Sequence, residues 1–164
     1  MMNHYIYLLF VLLLIAGSCK ESTKPAVDTS VKENSAATQK ILPPISKEEI
    51  IQLYETADYL DYIFFDFQFS MNQSDPNAVK AAVTFISNEG PKEVPASCKA
   101  IGHLVFQQKG EIIKEADLFF TENCYFYAFT NDENRQTHFN AMTDQGIGFY
   151  QRMFTQAMNP APAK

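Results

Sequence analysis

Apolar residues recur every three or four positions early in the chain, a spacing that predicts an amphipathic helix. The helix is predicted to begin at a capping box, in which the Ser46 hydroxyl and the Glu49 carboxylate each accept from the other residue's backbone amide. Residues 65–69 also alternate, as a half-buried strand would. We favour one continuous helix, because the seven-residue spacing carries through this segment without slipping. The apolar positions of the helix are Ile50, Leu53, Ala57, Leu60, Phe64, Phe67 and Met71.

A second helix is predicted after Asp75-Pro76, since Asp is a good N-cap and Pro fits the first helical position. From Pro95 onward the apolar residues alternate, in runs separated by turn sequences. Thr143-Asp144 then predicts the cap of a last helix. We therefore expect an α+β fold with two N-terminal helices, a four-stranded antiparallel meander and a C-terminal helix. The predicted strands span residues 98–107, 112–118, 124–129 and 136–141.

The N-terminus carries an unbroken apolar run that ends in small residues followed by a cysteine. A bilayer span needs roughly 20 apolar residues, so this shorter run suits the core of a secretory signal instead. Ala16-Gly17-Ser18-Cys19 resembles a bacterial lipobox, which is cut before its Cys so that the sulfur carries a lipid. We predict a signal peptide over residues 1–18 and lipidation of Cys19. An ordinary signal peptide with a chance Cys at the cut is the alternative.

Residues 20–44 are polar, mixed in charge and free of aromatic side chains. Such a segment cannot bury enough apolar surface to offset the entropy of ordering it. We therefore predict a lipidated Cys and flexible tether over residues 19–44, followed by a single domain over residues 45–164. Hydrophobic residues make up 46% of the chain, with fourteen Phe and eight Tyr, so the domain can bury an aromatic core.

The chain of 164 residues has a formal net charge of −6. This acidic balance argues against nucleic acid as a partner, since phosphate binding needs clustered Lys and Arg. It also argues against electrostatic docking on anionic lipid, which leaves acyl chains such as palmitate as the membrane attachment. The expected partners are the membrane, through the lipid anchor, and an envelope protein or an apolar ligand.

Two cysteines remain after Cys19, and in an exported domain Cys98 and Cys124 predict one disulfide. Free buried thiols are the alternative. Both cysteines begin predicted strands that flank a third strand. Two inter-strand spacings, roughly 9–10 Å, exceed the reach of a disulfide unless one Cys sits in a loop beyond the ladder. The approach through residues 95–97 and the turn at Asn123 allow such a bend.

Candidate catalytic and metal-binding chemistry is sparse. His103 and His138 lie on predicted strands, but two ligands are too few for a tight metal site and the sequence suggests no third. The carboxylates of the first predicted helix are spread over its solvent-exposed face, whereas calcium needs six or more converging oxygens. We expect no metal and no cofactor.

Aromatic residues encircle the first predicted helix rather than lining one stripe, so this helix must be covered on most sides. We prefer core packing as the explanation. In the alternative, part of this aromatic belt lines an apolar pocket or a partner groove. The candidate binding residues are then Tyr59, Tyr62, Phe65 and Phe69.

The N-terminus resembles that of lipoproteins from Bacteroidetes-type bacteria, whose lipoboxes often end in Ser-Cys. The stretch from Cys98 through Gly102-His103-Leu104 to Cys124-Tyr125-Phe126 is similar to small exported proteins of those bacteria. The resemblance implies a location, allows a paired Cys and implies no activity. By analogy with sorting in other Gram-negative bacteria, Lys20 after the lipidated Cys implies the outer membrane.

Two functions from different classes fit the sequence. We favour a lipid-anchored, non-catalytic module of the cell envelope that binds a partner protein or an apolar ligand through its aromatic surface. The alternative is an envelope enzyme with a site built from His103, His138 and a carboxylate or tyrosine. An enzyme needs these groups within a few ångström in a concave pocket, and no spacing in the sequence forces that.

Overall fold

The computed structural model describes residues 39–158. The predicted signal peptide, the lipidation of Cys19 and most of the predicted tether lie outside these residues. The described chain has the predicted α+β class, with an antiparallel sheet and a C-terminal helix. In residues 39–158, no helix has the length and apolar character needed to cross a membrane. The elements in chain order are α1 (Lys47–Thr56), β1 (Tyr59–Phe64), β2 (Ser70–Gln73), α2 (Pro76–Val83), β3 (Gly102–Gln108), β4 (Glu111–Thr121), β5 (Cys124–Thr130), β6 (Gln136–Ala141) and α3 (Asp144–Met158).

The prediction of one long first helix is wrong beyond Thr56. α1 does begin at the predicted capping box, where the Ser46 amide donates to Glu49 Oε2 at 3.0 Å and the Glu49 amide donates to Ser46 Oγ at 3.1 Å. It ends at Thr56, and Ala57 is already extended. The chain then forms β1 and β2, so the sheet has six strands and the two predicted helices are separated by a hairpin.

Burial along β1 has the period of two that a strand requires. Leu60, Tyr62 and Phe64 are buried, whereas Ile63 between them is 47% exposed. Leu60 and Phe64 are four residues apart, a spacing that fits a helix and a strand equally well, so the apolar pattern was ambiguous here. The rival prediction of a strand over residues 65–69 is also wrong, because these residues connect β1 to β2.

The sheet order is β2-β1-β3-β4-β5-β6, and every neighbouring pair is antiparallel. The four strands predicted as a meander are present as β3 to β6, although β3 begins at Gly102 and not at Cys98. Lys109, Asn123 and Asn134 adopt positive φ in the three predicted turns of this meander. Asn tolerates this left-handed conformation better than most residues, which fits its place at two of the three turns.

All three helices of the described chain pack on one face of the sheet and form the main core. Ile50 and Leu53 come from α1, Val79 from α2, and Tyr150 and Phe154 from α3. Burial of such aromatic and aliphatic side chains is the dominant favourable contribution to folding. The strand residues in this core include Leu60, Tyr62, Phe64, Leu104, Phe106, Ala116, Leu118, Tyr127 and Phe129.

A smaller cluster covers part of the opposite face. There Phe119 of β4 stacks on Phe126 of β5, with ring centroids 4.3 Å apart. Val94 and Leu42 pack on this cluster from segments outside the sheet. The loop before β3 and the chain before α1 therefore cover apolar side chains on this face of the sheet, as the helices do on the other face. The buried members are Val94, Cys98, Phe119, Cys124, Phe126, Ala128 and Phe139.

Residues 39–44, which the tether prediction includes, lie on the domain. The Gln39 amide donates to the Val94 carbonyl at 2.8 Å, and the Phe139 amide donates to the Pro43 carbonyl at 3.0 Å. The second of these bonds uses the outer edge of β6. The buried Asn140 side chain then accepts from the amide of Ile45 at 3.0 Å. The packed part of the domain thus includes these residues, and they occupy one edge of the sheet.

The predicted disulfide between Cys98 and Cys124 is confirmed, with Cα atoms 5.8 Å apart. Cys124 starts β5, whereas Cys98 lies in the loop before β3. The distance across the intervening strand is therefore no obstacle, because a loop can bend over the end of the ladder while a strand cannot. The bond fastens this loop to the small cluster on the second face.

Replacing both Cys98 and Cys124 by Ala is expected to lower the free energy of unfolding. The chain-entropy model gives about 3.5 kcal/mol for a bond that joins residues 26 apart. Urea unfolding of the wild-type and doubly substituted chains measures the loss, with Lys99→Ala as an exposed control in the same loop. Equal unfolding midpoints for the wild type and the double variant would show that the disulfide does not stabilise the domain.

Candidate functional site

The second face of the sheet is exposed where β1, β3 and β4 run side by side. The pairing register places Ile63 opposite His103, and His103 opposite Asp117. Side chains on a strand alternate between faces, so this row points away from the helices. We call this surface the open face. It is formed by Asp61, Ile63, Phe65, His103, Gln107, Glu115, Asp117 and Gln136.

Two large apolar side chains of the open face are in contact with solvent. Ile63 is 47% exposed and Phe65 is 55% exposed. Together with Thr130 and Asn134 they border a shallow depression of about 320 Å³. An apolar group of this size costs free energy in water, so neighbouring exposed apolar side chains beside polar groups often mark an interaction site.

His103 is bonded through both ring nitrogens. Nδ1 lies 2.9 Å from Asp117 Oδ1, and Nε2 lies 3.3 Å from Glu115 Oε1. The two carboxylates are two residues apart on β4 and therefore share a face. The second oxygen of Asp117 accepts from Gln136 Nε2 at 2.9 Å. The result is a hydrogen-bonded network that joins β3, β4 and β6 across the open face.

This network favours the protonated imidazole. The hydrogen bond to Asp117 raises the pKa of His103, burial opposes the rise, and the bond to Glu115 adds to it. For Asp117 burial acts to raise the pKa, but the hydrogen bonds from His103 and Gln136 outweigh burial, and the pKa is lowered overall. The two shifts have the signs expected of an imidazolium–carboxylate pair.

The hydrogen bonds of His103 bear on whether its ring could act as a general base. A histidine general base needs a free nitrogen lone pair directed at the proton that it removes. In the described structure both nitrogens of His103 face carboxylates. Among residues 39–158, no group of three or more His, Cys, Asp and Glu side chains is arranged to hold a metal ion. The open face combines the charged groups of the His103 network with the exposed apolar side chains of Ile63 and Phe65.

His138 lies on the other face of the sheet. It pairs with Phe129, whose ring is in the main core, whereas the row of His103 continues through Asp117 and Ala128 to Phe139. His138 Nδ1 is 2.9 Å from the Thr137 hydroxyl. An enzyme site built from both histidines is therefore not formed, because a complete sheet separates them.

The four predicted binding residues do not form one group. Tyr62 is 1% exposed and belongs to the main core, and Phe69 packs on Phe64 with ring centroids 5.1 Å apart. Phe65 lies on the open face, and Tyr59 alternates with Tyr62 and so points to the same side as Ile63. The predicted belt is divided between β1, whose aromatic residues alternate between two faces, and the connection from β1 to β2.

Ile63, Glu115, Asp117 and Gln136 are functional candidates that the sequence analysis missed. One signal was available for the two carboxylates, since they stand two apart on a segment correctly predicted as a strand. Their approach to His103 could not be read from the sequence, because it depends on the register between β3 and β4.

A second depression, of about 270 Å³, lies between α1 and the β3–β4 hairpin. Lys114 Nζ there donates to Glu49 Oε1 at 3.1 Å and lies 5.7 Å from the centre of the Phe129 ring. The backbone hydrogen bond at Ser46 lowers the pKa of Glu49, and Lys114 lowers it further. These charged groups satisfy each other, so the crevice offers a ligand less than the open face does.

No protein-family model, curated protein or solved structure matches the chain. Inference about function therefore rests on the geometry of the open face and on the sequence.

The His103 network should make stability depend on pH with a definite sign. The pKa of His103 is raised in the folded state. The stabilisation from its ring is therefore complete below the pKa of the unfolded chain, near 6.5, and is lost as the pH rises through the pKa of the folded state. The stability advantage of the wild type over His103→Gln should therefore shrink with rising pH. Urea unfolding at a series of pH values from about 5.5 to about 9 measures it.

The matched control repeats this comparison in a chain that already carries Glu115→Gln and Asp117→Asn. There the effect of His103→Gln should lose most of its pH dependence, since the carboxylates that raise the pKa are gone. An advantage of the wild type that stays constant across the pH series would contradict the assignment.

Proposed function

We propose that this protein is a lipid-anchored, non-catalytic module of the bacterial cell envelope that binds a partner protein through its open face. The anchor part of the proposal rests on the apolar run that ends at Ala16-Gly17-Ser18-Cys19. The binding part rests on the exposed side chains of Ile63 and Phe65 beside the His103 network. Lys20 after the anchor favours the outer membrane.

The observation that carries the binding proposal is the contrast between the two faces of the sheet. Three helices cover one face, and the loop before β3 covers part of the other. Ile63 and Phe65 remain exposed where β1 meets β3, although aliphatic and aromatic groups of their size are usually buried. A partner that covers them would gain apolar burial, and the surrounding carboxylates would orient it.

A protein partner fits this surface better than an apolar small molecule. Small-molecule sites are concave and bury most of the ligand. The depression on the open face is shallow, and His103, Asp117 and Asn134 line it together with the two apolar residues. A mixed, open surface of this kind resembles the polar rim and apolar centre of a protein interface.

Lipid anchoring is tested with Cys19→Ala in the native host. The variant should lose incorporation of labelled fatty acid and should leave the membrane fraction, because the sulfur that carries the lipid is absent. Thr23→Ala, which keeps Cys19, is the matched control and should behave as the wild type. A Cys19→Ala protein that still takes up label and sediments with membranes would refute the anchor.

Partner binding is tested by placing a photoreactive phenylalanine analogue at Ile63. The control position is Ile51 on α1, which is similarly exposed at 45% against 47%. Irradiation of intact cells should give a discrete crosslinked species from position 63 and not from position 51. A second change, Phe65→Asp, should weaken that crosslink because it places a charge in the apolar contact. Equal crosslinking from both positions, or none from position 63, would overturn the proposal.

A further inference from the structure

We propose that His103 holds the Glu115 carboxylate only while its imidazole ring is protonated, so that pH sets the negative charge that the open face presents to a partner. We call this proton-dependent contact the latch. The latch is a property of this chain alone. Its use in binding rests on the proposed function, and the two are tested separately.

The geometry makes the two carboxylates unequal. Asp117 has two donors, His103 Nδ1 at 2.9 Å and Gln136 Nε2 at 2.9 Å. Glu115 has one hydrogen-bond donor in the described structure, His103 Nε2 at 3.3 Å. The Glu115 side chain is also the more exposed of the two, at 28% against 21%. Glu115 is therefore held by the weaker and more replaceable contact.

Loss of one proton from the ring changes these contacts in opposite ways. A neutral imidazole has one N–H and one acceptor lone pair, so it can donate to one carboxylate only. Asp117 keeps that donor, because its bond is shorter and Gln136 fixes its orientation. Glu115 Oε1 then faces the lone pair of Nε2, and repulsion replaces attraction. Its partly exposed side chain is free to turn into solvent.

In the described residues, the charged groups that border His103 and Glu115 are carboxylates and Lys114, whose Nζ pairs with Glu49. Glu115 shares a neighbouring depression with Lys114 and Asp132. β4 contributes Glu115 and Asp117, and β1 contributes Asp61, whose carboxylate accepts from Gln107 Nε2 at 3.1 Å. The other neighbours that border the depression, Ile63 and Phe65 from the β1 side, Thr130 of β5 and Asn134 of the β5–β6 turn, carry no charge.

The nearby basic side chains are engaged elsewhere. Lys114 pairs with Glu49 on the helix side of the sheet, and Arg135 pairs with Glu133 in the β5–β6 turn. Among the ion pairs of residues 39–158, Glu115 and Asp117 each have His103 as their cationic partner. Deprotonation thus adds one net negative charge to the face and leaves Glu115 unpaired beside Ile63 and Phe65.

This arrangement predicts the chemistry and the pH response of the partner. Its contact segment carries cationic side chains that pair with Glu115, next to apolar groups that cover Ile63 and Phe65. Its affinity should rise as the pH rises through the pKa of His103. One added unit charge about 6 Å from a cationic group in water corresponds to roughly a three-fold gain in affinity.

The latch is measured by NMR on the protein labelled with ¹⁵N-histidine and ¹³C-glutamate and purified in detergent. Below the pKa both ring nitrogens of His103 should be protonated, and the Glu115 carboxyl signal should shift at the same midpoint as the ring. His103→Gln should abolish that shift in Glu115. Asp61→Asn, a change on the same face outside the hydrogen bonds of His103, should preserve it. The latch would be overturned by a Glu115 carboxyl signal that does not shift at the titration midpoint of His103, or by one that shifts equally in His103→Gln.

Tri-lysine serves as a cationic probe of the charge change. It should bind the wild type about three-fold more tightly above the His103 midpoint than below it. Glu115→Gln keeps the charge change of the His103 ring but lacks the freed carboxylate, so its ratio should be smaller than that of the wild type while the ring still titrates. An unchanged ratio in Glu115→Gln would refute the role of Glu115. Loss of the crosslink at Ile63 with an intact NMR transition would refute the partner and leave the latch standing.

Discussion

The pairing of β1 with β3 is the contact on which the rest of the fold depends. It adds the β1–β2 hairpin to the meander and makes a sheet of six strands. It also fixes the direction of every side chain on β1, since a shift of one residue would exchange the two faces. In the observed register Tyr62 lies opposite Leu104 in the main core, and Ile63 lies opposite His103 on the other side. The core and the open face are two consequences of one register.

The disulfide and the segments that it holds determine where the open face ends. The loop before β3 is long and lacks helix or strand, so its own backbone cannot hold it against the sheet. Its position depends on the bond between Cys98 and Cys124, on the packing of Val94 and on the Gln39–Val94 hydrogen bond. These contacts cover the side of β5 and β6. The region around His103 stays exposed because the loop does not extend over β1 and β3.

On the open face, His103 and the β4 carboxylates form one hydrogen-bonded network, in which the contact between His103 and Glu115 is the longest. Asp117 is held twice, whereas Glu115 depends on a single proton of His103. The proposed role of His103 in regulating surface charge rests on this inequality between the two carboxylates. The proposal of a cationic partner joins this charge to the exposed apolar pair Ile63 and Phe65.

The sequence by itself determined the features that arise from neighbouring residues. The capping box at Ser46 and Glu49, the cap at Asp75 and the three turns of the meander all depend on interactions within a few residues, so they could be predicted. The expectation that the domain is exported also predicted the pairing of Cys98 with Cys124. Tertiary structure decided the state of the segment after Thr56, because Leu60 and Phe64 fit a helix and a strand equally well and only pairing with β3 distinguishes them. The candidate site followed from that choice, since contact between His103 and the β4 carboxylates requires a strand register that no local pattern encodes.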